Sequence, residues 1–281
     1  RGPMGDDTHT ADALIRDLAK AGSRDGDGTF TLSPGVARER ARDLALPDAL
    51  DALPLLVRSA VARGATEVVL QRNEDSLDLN FDGAPLTREE LEQIYEPLLG
   101  RRDDARSAGR FALALGLVTL ERRAGVAVRV RVQGAVLRLE PDGALTVRRR
   151  FNEKTRTEIR LRAPEHPTHT AQRVLLRSGK LLTQVAGRFR YSEVPILIDG
   201  EQRNHGLDAD AATQGRRVDE GSLRAAVGFR EEQPAELRLV RHGVWIETVQ
   251  HPDFQEGFLA VVDVSQLDTD LTGSLVQRDE K

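Results

Sequence analysis

Residues 53–70 read LPLLVRSAVARGATEVVL, and the change of period inside this stretch decides the fold class. Apolar residues crowd together at helical spacing over about 47–63, and Gly64 stands where a helix takes a left-handed C-cap. Beyond the glycine the period shortens. Thr66 to Gln71 and Ser76 to Asn80 read as two strands around an Asn73-Glu74-Asp75 turn. A buried helix that hands over directly to a strand pair predicts an α+β fold, with helices on one face of a mainly antiparallel sheet.

The rest of the chain extends this pattern in both directions. Upstream, Asp12 to Ala21 predicts a short amphipathic helix, Ser23 to Gly28 a loop, and Thr29 to Leu32 an extended piece. Ser33-Pro34 supplies an N-cap and a first-position proline for a helix over about 34–44. Residues 1–11 are polar and aperiodic, and Arg1-Gly2-Pro3 ahead of Met4 reads as a protease scar. Downstream, Asp82-Gly83 marks a loop, and Thr87-x-x-Glu90 is a capping box for a helix running to about Leu99. Gly100 to Ala108 reads as a charged loop and Arg110 to Arg122 as a buried helix. Strands follow at 126–133, 135–140, 144–150 and 155–162, with Pro141-Asp142-Gly143 as a turn. Ala163 to Thr168, with two prolines and two histidines, predicts a domain junction. Beyond it come a helix at about 170–187, a strand from Val194 to Asp199, a polar loop at about 200–220, and strands at 236–241, 244–249 and 258–264. The expected domains are 12–164 and 165–281, after a tail at 1–11.

Composition removes several classes of chemistry. The chain has 281 residues and no cysteine, which excludes disulfides, thiolate metal sites and cysteine nucleophiles. An apolar fraction of 39% is enough for packed cores. No apolar run approaches the roughly 18–20 residues of a membrane span, and a cytoplasmic location is the expectation. The formal net charge of -4 argues against a nucleic-acid binder. The only lysines are Lys20, Lys154, Lys180 and Lys281, an arginine bias of the kind a GC-rich genome produces. The charged stretch running to Lys281 leaves open whether the natural chain continues.

Seven stretches carry a resemblance. LPLLVRSAVARGATEVVL (53–70), LDLNFDGAPLTREEL (77–91) and GRFALALGLVTL (109–120) resemble, in order, the first ATP-site helix and strand, the adenine loop and the phosphate segment of GHKL ATPases. RTEIRLRAP (156–164), RYSEVPILIDGE (190–201) and FLAVVDVSQLDTDLTGSLVQ (258–277) resemble segments of the ninety-kilodalton heat-shock chaperones within that superfamily, as does LVRHGVWI (239–246). The resemblance spans residues 28–277. It implies a GHKL-type α/β sandwich followed by a second, smaller α/β domain like the chaperone middle domain. The family's dimerisation domain has no counterpart here, which implies a monomer.

The same alignment implies a lost active site. In the family a helix offers a glutamate that polarises the attacking water and, one turn later, an asparagine that holds Mg²⁺. Those positions are Leu55 and Ser59. Leucine cannot accept a proton. With Gly83 as the first glycine of the adenine loop, the adenine-reading aspartate falls on Phe81, although a one-residue bulge would put Asp82 there. The second glycine is Pro85. Of the phosphate glycines and their neighbours, Gly109 and Phe111 remain, while the two later glycines are Ala112 and Ala114. Thr157 keeps the adenine-side threonine, and the middle-domain arginine falls on Gly273. The resemblance therefore implies a pseudo-ATPase with no cofactor and no metal, acting through a protein client or partner. The alternative is a divergent ATPase that uses Asp82, Thr157 and Arg110. His166 and His169, the arginine-valine strands and Trp245 read as surface histidines, a charged sheet face and a packed aromatic.

Overall fold

The computed structural model describes residues 24–25, 29–30, 38–39, 42–99, 104–150, 155–163, 179–209, 214–221, 223–250 and 253–267. Among them the chain is mixed α/β, with an eight-stranded sheet, a five-stranded sheet and a two-stranded pairing of Arg24–Asp25 with Thr29–Phe30. Helices are few. The first is α1, Ala52–Ala62, preceded by a 3-10 turn that Asp48 caps. Nine successive residues of α1, from Ala52 to Ala60, are buried, so this helix lies inside the molecule. Gly64 takes the left-handed conformation expected of it, at φ 77°.

Strands β1 (Val68–Arg72) and β2 (Ser76–Phe81) form the expected hairpin. The capping box then opens α2, Arg88–Glu92, with Thr87 and Glu90 bonded reciprocally. The next helix, α3, covers Ala105–Thr119 and closes through a π-turn to Gly125. It therefore begins inside the stretch expected to be a loop. Asp104 caps it by accepting from the Ser107 N–H at 2.6 Å. Strands β3 (Ala127–Val132), β4 (Ala135–Leu139), β5 (Leu145–Arg149) and β6 (Thr157–Arg162) follow as expected.

Beyond the undescribed residues 164–178 lie α4, Gly179–Ala186, and the short strands β7 (Ile196–Ile198) and β8 (Glu201–Gln202). These strands do not open a new sheet. β7 pairs parallel with β1, giving the order β8-β7-β1-β2-β6-β3-β4-β5. The first sheet thus takes strands from both sides of the expected boundary at 164/165. One apolar row runs across it, from Ile198 through Leu70, Leu79, Ile159, Val130 and Leu137 to Val147. Helices α1 and α3 pack on this face, and together they form the principal core.

The second sheet contains β9 (Gln214–Glu220), β10 (Leu223–Phe229), β11 (Glu236–Arg241), β12 (Val244–Val249) and β13 (Phe258–Asp263), in the order β9-β10-β13-β11-β12. The segment read as a polar loop at 200–220 holds both β8 and β9. β9, QGRRVDE, is an edge strand paired on one side only, so nothing requires it to show an apolar alternation. The sheets meet where Val244 joins the principal core and Arg188 donates to Asp51 at 2.7 Å and to the Trp245 carbonyl at 3.2 Å.

Candidate functional site

Two of the positions that the resemblance assigns to nucleotide chemistry, Leu55 and Ser59, lie on α1 itself. Leu55 and Ser59 are 3% and 0% exposed, Phe81 and Thr157 0% and 3%. Phe81 at the end of β2 stands opposite Thr157 on β6 and Val68 on β1, so its ring is one side chain of the sheet's inner face. Leu55, Phe81 and Phe111 all belong to the principal core. All three are interior side chains, 0–3% exposed.

Helix α3 explains why the space is filled. A methyl group on Gly109 would meet the Arg63 Cγ at 3.0 Å and the Ser59 carbonyl at 3.2 Å. One on Gly116 would meet the Leu56 Cδ2 at 3.0 Å and the Ala52 carbonyl at 3.3 Å. Seven residues apart, the two glycines lie two turns along one face and bring α3 directly against α1. In the family resemblance Gly109 belongs to a phosphate cradle; here it serves a helix crossing. Ser59 lies beneath this crossing, and its Oγ has no hydrogen-bond partner among the described residues.

The loop after β2 is fastened to the same helix end. Asp82 accepts hydrogen bonds from the Thr66 N–H at 2.7 Å, the Glu67 N–H at 3.2 Å and the Thr66 hydroxyl, and the Thr66 hydroxyl bond leads in lowering its pKa. Its carboxylate is therefore engaged in holding the turn. Gly83, at φ 95°, has the Ala65 nitrogen 2.8 Å from where a Cβ would stand, so no other residue fits without movement. The Ala84 N–H donates to the Arg63 carbonyl at 2.9 Å.

Arg63, which the sequence reading passed over, completes the closure. Its side chain is fully buried and donates to the Ala84 and Pro85 carbonyls at 3.0 and 2.8 Å and to Glu90 at 3.2 Å. Glu90 also accepts from the Thr87 N–H at 2.9 Å and from Arg106 at 3.0 Å, with Arg110 at 3.9 Å. Burial raises the Glu90 pKa, but the Thr87 N–H and the guanidinium groups of Arg63 and Arg106 outweigh it and hold it below the ordinary value. The signal for this cluster was the capping box, which named Glu90 but not the arginines that converge on it.

A recess of about 350 Å³ lies between Val61, Ala62 and Ala105 on one side and Tyr191, Glu193, Arg224, His242, Asp263 and Ser265 on the other. His242 has φ 44°, and its N–H donates to the Ser265 Oγ at 2.8 Å, which in turn donates to Asp263 at 2.5 Å. Arg224 pairs with Asp263 and Glu193. Burial, with Arg58 and Arg241 nearby, lowers the His242 pKa to about 4. The imidazole is neutral at pH 7, and its Nε2 has no partner among the described residues. Trp245 stands at the back of this region, edge-on to Tyr191 at 6.1 Å and capped by the Arg238 guanidinium at 5.0 Å.

His166, His169 and Gly273 lie outside the described residues. Among the described residues, no group of three His, Cys, Asp or Glu is placed to hold a metal, and no helix is long and apolar enough to cross a membrane. No protein-family model matches the chain, and no curated protein matches it.

Proposed function

We propose that the chain is a pseudo-ATPase of the ninety-kilodalton chaperone type, a GHKL-like sandwich with a second α/β region, acting as a nucleotide-independent protein-interaction module. The observation that carries this reading is the direct contact of α3 with α1 over Leu55 and Ser59, with Phe81 buried in the sheet below. A nucleotide there would have to displace core side chains. The residues that a divergent ATPase would recruit are already engaged: Asp82 caps Thr66, Thr157 is buried beside Phe81, and Arg110 lies by Glu90. Apolar surface of the kind that recognises unfolded or partner chains is available at the two ends of β10, where Leu223 and Phe229 are 46% and 45% exposed.

Calorimetric titration of Mg-ATP into the protein, with thermal melts alongside, tests the reading. The expected result is no heat of binding and no shift in melting temperature. A ligand present at a hundred times its Kd would stabilise the fold by about 2.7 kcal/mol. Stabilisation of that size would make the divergent ATPase the better account.

A further inference from the structure

The face of the first sheet turned away from the helices is a field of arginines. One row reads Gln71, Asp78, Arg160, Arg129, Arg138, Thr146 across β1, β2, β6, β3, β4 and β5. Near β2 the charges are balanced: Arg160 grips Asp78 through two bonds of 2.8 and 2.7 Å, and Arg131 in the next row meets Glu158 at 3.1 Å. Toward β5 they are not. Arg129, Arg138 and Arg148 have no carboxylate partner among the described residues, and Arg138 and Arg148 are exposed. Burial and then the neighbouring Arg131, Arg138 and Arg160 lower the proton affinity of Arg129, which marks an uncompensated positive field. Above the small side chain of Ala127, Arg129, Arg138, Arg160 and Arg162 line a cleft of about 650 Å³ together with Asp75 and Glu140.

The strand beside this field, β5, is the edge of the sheet among the described residues. The Ala144 carbonyl accepts from the Glu140 N–H at 2.8 Å, and the Arg150 N–H donates to the Gly134 carbonyl at 3.0 Å. Backbone groups alternate in direction along an antiparallel strand, so Leu145, Val147 and Arg149 turn theirs away from β4. No strand pairs with that side among the described residues.

We propose that β5 and the arginines of β3–β5 dock an extended, acidic segment of a partner protein, added to the sheet as a further strand with carboxylates over Arg148 and Arg138. The inference deepens the protein-interaction reading above and rests on it for the class of partner. A strand added to β5 would lie roughly 10 Å from β4, within the combined reach of a glutamate and an arginine side chain. The same features disfavour nucleic acid. The two rows carry no aromatic residue on which a base could stack. Asp78 and Glu158 interrupt the field, and the chain as a whole has net charge -4.

The test is fluorescence anisotropy of a labelled dodecapeptide of alternating glutamate and threonine, titrated with the whole protein at low and at physiological salt. A dodecathymidine serves as competitor, and Mg-ATP is present or absent. The expected result is saturable binding that weakens with salt and falls roughly tenfold in R138E/R148E, with circular-dichroism melts that show no loss of stability. R149P, which removes an N–H turned away from β4, should weaken binding beyond R149A. Absence of saturable binding, binding indifferent to R138E/R148E, or preferential binding of the dodecathymidine would overturn the proposal. Equal effects of R149P and R149A would overturn the strand pairing. If neither peptide nor Mg-ATP binds, this inference fails and the pseudo-ATPase reading stands; if both bind, the reverse holds.

Discussion

The two faces of the eight-stranded sheet are built from the same strands in the same register, yet they have opposite constraints. On the helix side the rows are mainly apolar and covered by α1 and α3, and the polar groups there are few and mostly committed: Glu90, Arg63 and Asp82 each meet several partners. On the open side rows of charge cross the sheet, balanced toward β2 and unbalanced toward β5. The difference teaches where to look for function. Among the described residues the helix side is packed as core, and the interaction capacity not used within the fold lies on the other side. The comparison can be broken from either face.

The largest effect is expected at Glu90. Among the described residues its carboxylate is the only anion paired with the buried Arg63, and it also serves Thr87 and Arg106. Glu90→Gln leaves a buried guanidinium without a countercharge, at a cost of about 3–5 kcal/mol, read as a fall in the denaturation midpoint. The pH dependence fixes the sign. A carboxylate whose pKa is lowered in the fold stabilises it above the unfolded value of 4.5 and loses that contribution as pH falls through the folded value. The wild type should lose stability over that window, and the variant should lack this part of the slope. A loss below about 1 kcal/mol would mean that Glu90 is not what compensates Arg63.

Much of the helix-side face was legible from the residues. Gly64 separates a buried helix from an alternating strand, and both are present. The Thr87–Glu90 spacing gave a capping box that forms. Local signals of this kind work because capping and turn chemistry act within a few residues. What was not legible depends on distant partners. β7 joins the sheet through β1, more than a hundred residues earlier in the chain, and nothing in Ile196–Ile198 names that partner. β9 has the polar composition an edge strand tolerates, and so it read as a loop. The start of α3 was hidden because Arg106, which reaches Glu90, looked like part of a solvated charge run. For the candidate site, the resemblance pointed to Leu55, Ser59 and Phe81, and all three are buried. That Gly109 and Gly116 press α3 onto α1 could not be read from the residues, because a retained glycine reads the same whether it faces a phosphate or a helix.

An intermediate effect of opposite sign is expected at Ser59. Its hydroxyl is wholly buried, with no hydrogen-bond partner among the described residues. A buried polar group left in this state costs about 1–3 kcal/mol relative to an apolar one of the same shape. Ser59→Ala removes the group with almost no change of volume, and should raise stability by about 1 kcal/mol in chemical denaturation. A loss instead would show that the hydroxyl is bonded, and the helix crossing would then be a polar contact rather than a closed apolar one.

The smallest effect separates the faces most sharply, because its sign depends on what the open face is for. Arg138 stands directly opposite Arg129 across the β3–β4 ladder. Like charges so placed are destabilising, and opposite charges contribute roughly 0.2–1 kcal/mol. If these arginines served the fold, reversing one would lower stability, as it does where a guanidinium closes on Glu90. If they are held for a partner, the isolated protein bears their repulsion, and Arg138→Glu relieves it while giving Arg129 a countercharge. The expected outcome is a gain of about 0.5 kcal/mol at low ionic strength that fades as salt screens the pair. A loss that persists in high salt would place Arg138 among the structural charges and make the two faces alike.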